Sequence, residues 1–181
     1  MALLSRALRE ARGILAEEQA HVPPIKVDQI AERHAHVLKE ALPDDISGML
    51  VPLDPPVRGK SWAIVVHQDH AEVRQRFTIA HELGHLLLHG YSSPHADKTF
   101  RLRDTRSSDG SVREEIEANR FAAELLMPEK IILAWIEKVG LEYAPNSEED
   151  EQKLKKLAKT FKVSQQALSI RIANLAGRFW A

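Results

Sequence analysis

The run Arg76-Phe-Thr-Ile-Ala-His-Glu-Leu-Gly-His-Leu-Leu-Leu-His89 constrains the fold more than any other part of the chain. Its spacing predicts a helix from about Ala71 to His89, with Gly90 a natural residue to end it in the left-handed conformation. Phe77, Ala80, Leu83, Leu87 and Leu88 give that helix enough apolar surface to sit in a domain core. The same helix carries His81, Glu82, His85 and His89. Histidines on a core helix need polar partners, and a shared metal ion supplies them. Whatever packs around this helix therefore has to satisfy those groups.

His81 and His85 stand at i and i+4, one above the other on the same helix face. Both imidazoles can reach one ion at the ~2.0–2.1 Å of a zinc–nitrogen bond. Glu82 is one residue step around from His81, so it can take a proton from a water at the ion without being a ligand. This is the H-E-x-x-H pattern of zinc hydrolases. Five-residue patterns do arise by chance on solvated helices; the apolar flanks argue against that origin here.

Two histidines do not complete a catalytic zinc site, for which three protein ligands and a water are typical. The chain has 181 residues and no cysteine, so the remaining ligand must be His, Asp or Glu, and a disulfide framework is excluded. The extended pattern H-E-x-x-H-x-x-G-x-x-H fails, because Leu88 and Tyr91 stand where it needs Gly and His. His89 follows His85 by four residues, but two such steps turn it about 80° from His81. It reads better as a helix C-terminal residue near the last carbonyls. The next helix, from Ser111 to Met127 with Ser111-x-x-Glu114 as a capping box, offers Glu114, Glu115 and Glu117. All three could simply decorate a first turn, where acids favour the helix dipole. However, Glu115, Ala118, Asn119 and Ala122 share one stripe, and the alanines permit close approach to the motif helix. The stripe favours Glu115 as third ligand, with Asn119 placed to orient a ligand histidine through its other ring nitrogen.

Elsewhere the periodicity predicts helices over 2–20, Val27–Leu38 and Pro128–Val139, and strands over Ile46–Leu53 and Ser61–His67 joined by a hairpin loop at Asp54–Lys60. Tyr91–Gly110 reads as loop with a short strand at Thr99–Arg103. Asn146–Glu151 is an acidic linker or helix start, and Lys153–Trp180 holds two helices parted near Lys162-Val-Ser164. That last segment has a helix-turn-helix rhythm, with seven Lys or Arg residues and no acid from Lys153 onward. DNA contact is one reading. The presumed recognition helix, Ser164–Leu175, offers only Arg171, which favours a helical pair packed on the main domain. The strand at 61–67 could hold an extended peptide by edge addition. Tyr91, His67, His70 and His95 are oxyanion-donor candidates by residue type alone, and none is assigned.

A net charge of −1 does not suit a chain devoted as a whole to nucleic acid. No run approaches the ~18 apolar residues of a membrane span. The N-terminus becomes charged too early for the ~7–15 apolar residues of a secretory leader. A cytoplasmic protein without membrane contact is expected.

The motif helix, followed by Glu115-x-x-Ala-Asn-x-Phe-Ala-Ala-x-Leu-Leu-Met-Pro128, resembles the ImmA/IrrE metallopeptidases. Pro24-Ile-x-Val-x-x-Ile-Ala31 and Ile46-Ser-Gly48 match the same pattern, and the likeness covers about residues 20–175. It implies an α+β, mainly helical zincin-like domain with a small sheet over 1–140, and a helix-turn-helix-like segment over 141–181. It implies zinc on His81, His85 and Glu115, with Glu82 as general base. It also implies an intracellular endopeptidase that cuts a helix-turn-helix repressor, in stress response or control of mobile elements. The ligand set itself accepts manganese or iron as well as zinc. The competing expectations are a regulatory or DNA-binding protein whose metal is only structural, and a binding module without turnover.

Overall fold

Apolar residues at helical spacing place α1 (Ala2–Glu17) against the core through Ala7, Ala11, Ile14 and Leu15. The computed structural model describes residues 2–90, 95–98, 109–141 and 147–179. After the Pro23-Pro24 break comes α2 (Val27–His34), which ends four residues before the sequence predicts. Ala35 is extended, and β1 (His36–Glu40) takes Val37 and Leu38 out of the expected helix. The cause is non-local. Val37 pairs with Ile64 in a parallel ladder, where a β-branched residue fits better than in a final helical turn.

β2 (Ile46–Val57) runs further than expected, through the segment read as a hairpin loop, and turns at Arg58-Gly59 into β3 (Lys60–His67). Both turn residues have positive φ, which suits the right-handed twist of a tight hairpin. The prolines at 55 and 56 fall where the ladder is interrupted, between the pairs Pro52–Trp62 and Val57–Lys60. There a missing N–H costs no pairing.

α3 (Glu72–His89) follows, ending at Gly90 with φ 61°. Then come β4 (His95–Lys98), α4 (Asp109–Leu126), α5 (Glu129–Val139), α6 (Glu148–Phe161) and α7 (Gln165–Phe179). The expected strand at Thr99–Arg103 lies outside the described residues, and the observed one is β4. α4 starts two residues before Ser111, which is therefore inside the helix rather than its cap. Ser147 does cap α6, accepting from the Asp150 N–H, as an acidic helix start would require.

The sheet order is β1-β3-β2-β4, with β1 parallel and β2 antiparallel to β3, and β4 antiparallel to β2. β3 is thus flanked on both sides, so it cannot accept a peptide by edge addition. Its run Ala63-Ile-Val-Val66 is buried throughout, as a central strand requires. The molecule has the α+β, mainly helical architecture expected from the sequence. One core cluster joins Ile64 and Val66 of the sheet, Ile79 and Leu83 of α3, Phe121 and Leu125 of α4, and Phe161, Leu168 and Ile172 of the last two helices. Among the described residues no helix is long and apolar enough to cross a membrane.

Candidate metal centre

α3 turns one face to α4 and another to β2, and the two faces carry different groups. On the α4 side the helices approach closely because Gly84 faces the backbone of Ala118. A Cβ on Gly84 would lie 3.2 Å from Ala118 Cα and 3.0 Å from Phe121 Cδ1. This close approach sets Glu115, near the start of α4, opposite His81 and His85. His81 Nε2 and His85 Nε2 are 2.9 Å apart. Glu115 Oε2 lies 3.3 Å from the first and Oε1 3.0 Å from the second. His81 and His85 are buried, whereas the Glu115 side chain keeps 34% of its exposure, so the cluster opens on the carboxylate side.

Protons alone satisfy this cluster poorly. If both Nε2 atoms carry hydrogen to donate to Glu115, the 2.9 Å contact sets one donor against another. If one is bare, it faces the carboxylate as acceptor against acceptor. A cation accepts a lone pair from all three and removes the conflict. Four ligands at ~2.0–2.1 Å around a tetrahedral ion lie roughly 3.3 Å apart, close to the observed separations of 2.9, 3.0 and 3.3 Å. The donor set fits a divalent metal, and these three residues are the one group of three among the described residues that could hold it. Burial works to raise the Glu115 carboxyl pKa, but hydrogen bonds and charge from His81 and His85 outweigh it, holding the group well below the usual carboxylate range.

On the β2 side α3 presents Arg74, Thr78 and Glu82 at i, i+4 and i+8. Arg74 donates to Ser47 Oγ at 2.8 Å. Thr78 and the fully buried Glu82 lie against Gly48, where an added Cβ would stand 3.2 Å from Glu82 Oε1. Glu82 is therefore next to the histidine pair along the chain but directed toward the sheet, apart from the three candidate ligands.

The other residues weighed from sequence fall outside the cluster. His89 Nδ1 lies 3.8 Å from Glu117 Oε2, so those two face each other rather than the cluster. Asn119 is half-buried and its Oδ1 accepts no hydrogen bond, so the expected orienting contact to a histidine is not made. His67 and His70 stack on each other at 4.5 Å before the start of α3, and neither belongs to the group of three that could hold a metal. Tyr91 and the His95 side chain lie outside the described residues.

Sequence reasoning missed two supports. Arg76, 6% exposed, donates to the Ile25 carbonyl at 2.7 Å and the Lys162 carbonyl at 3.2 Å. It ties the N-terminal segment and the α6–α7 turn to α3. Glu124 of α4, buried, is gripped by Arg12 of α1 at 2.8 Å and by Arg171 of α7. Arg171 also donates to the Met127 carbonyl at 3.1 Å. A buried acid four residues before Pro128 on an amphipathic helix hints at such a pair, but its partners are remote in sequence.

A family model described as the IrrE N-terminal-like domain, a peptidase family, matches residues 31–173. The match runs from the end of α2 well into α7 and so includes the sheet, α3 and α4. No curated protein matches the chain. With most of its length covered, and the histidine pair and Glu115 brought together on α3 and α4, the chain belongs to the ImmA/IrrE family of metallopeptidase-like proteins.

Proposed function

We propose that this protein is a zinc-dependent endopeptidase whose substrate is a specific intracellular protein, a helix-turn-helix transcriptional repressor. The observation that carries the reading is the convergence of His81, His85 and Glu115 with a buried carboxylate, Glu82, on the adjoining helix position. A divalent ion held by the three would supply Lewis acidity, lowering the pKa of water and polarising a peptide carbonyl. Zinc suits two imidazoles and one carboxylate, with manganese or iron as alternatives. Glu82 takes the proton of the attacking water as its oxygen bonds to the scissile carbonyl carbon. As the C–N bond breaks, Glu82 returns that proton to the leaving amine. His81 and His85 would offer their Nε2 lone pairs to the ion as neutral imidazoles.

The repressor, and a role in stress response or mobile-element control, are what the family resemblance suggests for this chain. A protein partner accords with the C-terminal helical pair. Its presumed recognition helix contributes Arg171 to a buried ion pair, leaving that side chain unable to reach DNA. The test is incubation of the zinc-loaded protein with a purified helix-turn-helix repressor encoded beside it. Cleavage into two fragments, stopped by a chelator and restored by zinc, is expected. Tight binding without cleavage, at full metal occupancy, would instead make the chain a binding module.

A further inference from the structure

Gly48 is buried in β2 and is not among the residues with positive φ, so what its position requires is space rather than a special backbone conformation. A Cβ there would overlap Thr78 Cγ2, and would stand 3.2 Å from both Glu82 Oε1 and the Val65 carbonyl oxygen. Of these neighbours, the Val65 carbonyl belongs to the central strand and Thr78 is packed in a buried helix face. The Glu82 carboxylate is the far end of a flexible side chain and the group most able to give way.

The strand is shaped at this point. Ile46 pairs with Lys98 and Gly48 with Asp97, so two steps on β2 oppose one on β4 and Ser47 is the extra residue of a bulge. Bulges bend a strand and re-aim its side chains. Here Ser47 accepts a hydrogen bond from Arg74, one turn before Thr78 and two before Glu82. The bulge is thus pinned to the α3 stripe that ends at the carboxylate.

We propose that Gly48 is a positioning residue for peptide-bond hydrolysis: its bare backbone sets where the Glu82 carboxylate rests against β2, while Glu115 is brought to the histidine pair by the separate contact with α4. The proposal rests on the reading of Glu82 as general base. Gly48→Ala alone would also strain Thr78, so the informative variant is Gly48→Ala with Thr78→Ser, which removes Cγ2 and leaves the contact with Glu82. Thr78→Ser is the control. Five quantities are measured on the zinc-loaded proteins: metal per chain, thermal midpoint, kcat and KM for repressor cleavage, and the Glu82 side-chain position by crystallography.

The double variant should keep its zinc and midpoint, show the carboxylate displaced from its wild-type position, and lose about 10- to 100-fold in kcat with KM little changed. A carboxylate in its wild-type place with kcat equal to the control would overturn the proposal. So would losses of metal or midpoint that match the loss of kcat, since these mark a merely structural role. Were the wild type to cleave nothing, the peptidase reading would fall, while the crystallographic position of Glu82 would still decide whether Gly48 sets it.

Discussion

The two faces of α3 are built by the same device and serve different ends. Toward α4, Gly84 meets the Ala118 backbone and brings a carboxylate from another helix to the histidine pair. Toward β2, Gly48 meets Thr78 and Glu82, so a second carboxylate of the same helix rests against the strand. In both contacts a glycine removes bulk, beside the Ala118 backbone on one face and beside the Thr78 and Glu82 side chains on the other. The difference is what is placed: ligands on one side, a proton carrier on the other. Metal holding and proton transfer should therefore be separable by mutation, although His81 and Glu82 are adjacent in sequence.

The largest expected effect is on the β2 face. Glu82→Gln should keep the metal yet cut kcat for repressor cleavage by about 10²–10⁴-fold, the range for removing a general base. Cleavage at the wild-type rate by that variant would dissolve the distinction. On the α4 face, Gly84→Leu should separate the helices. It should destabilise the fold by about 1–3 kcal/mol through overpacking and weaken zinc binding, read by thermal melting and zinc titration. Tight zinc binding by this variant would mean that the α4 approach does not control the ligand set.

Away from both faces the effects should fall on stability alone. Arg171→Met strips one partner from buried Glu124 and leaves Arg12 as the other. A loss of about 3 kcal/mol in denaturant unfolding is expected, with zinc affinity unchanged in the folded protein. The smallest effect concerns Glu32. Burial works to raise its pKa, but the Lys60 ammonium and the Val37 N–H that it accepts from hold it below the ordinary glutamate value. A depressed folded pKa stabilises the native state above the unfolded value, and the gain is lost as pH falls through the folded one. With the side chain 44% exposed, a few tenths of a kcal/mol remain after solvent screening. The stability gap between wild type and Glu32→Gln should thus be present at pH 6 and close as the pH drops below about 4. A gap that widens on acidification would contradict the sign.

The α4 face is largely legible in the sequence because its signals are local. The i, i+4 spacing puts His81 and His85 on one side, and the stripe of Glu115, Ala118 and Ala122 marks the helix that can come close. Gly84 lies inside the motif as an unspecified position, and its role emerges only from the crossing. The β2 face is mostly hidden. Gly48 matters because of Thr78, thirty residues on, and the Ser47 bulge depends on β4. The same non-locality turns the predicted tail of the second helix into β1, since Val37 and Leu38 are apolar at helical spacing but pair with Ile64 and Val65. Glu124 finds its cations 112 residues before it and 47 after it, beyond any pattern along one helix.

The separation of the two faces is tested most directly by metal content. Glu82→Gln and Glu115→Gln are each purified, loaded with zinc, dialysed, and analysed for metal per chain. About one zinc per chain is expected in Glu82→Gln, from the single ligand set, and little in Glu115→Gln. Zinc retained without Glu115 but lost without Glu82 would contradict the account, placing the ligand on the sheet face of α3 instead of on α4.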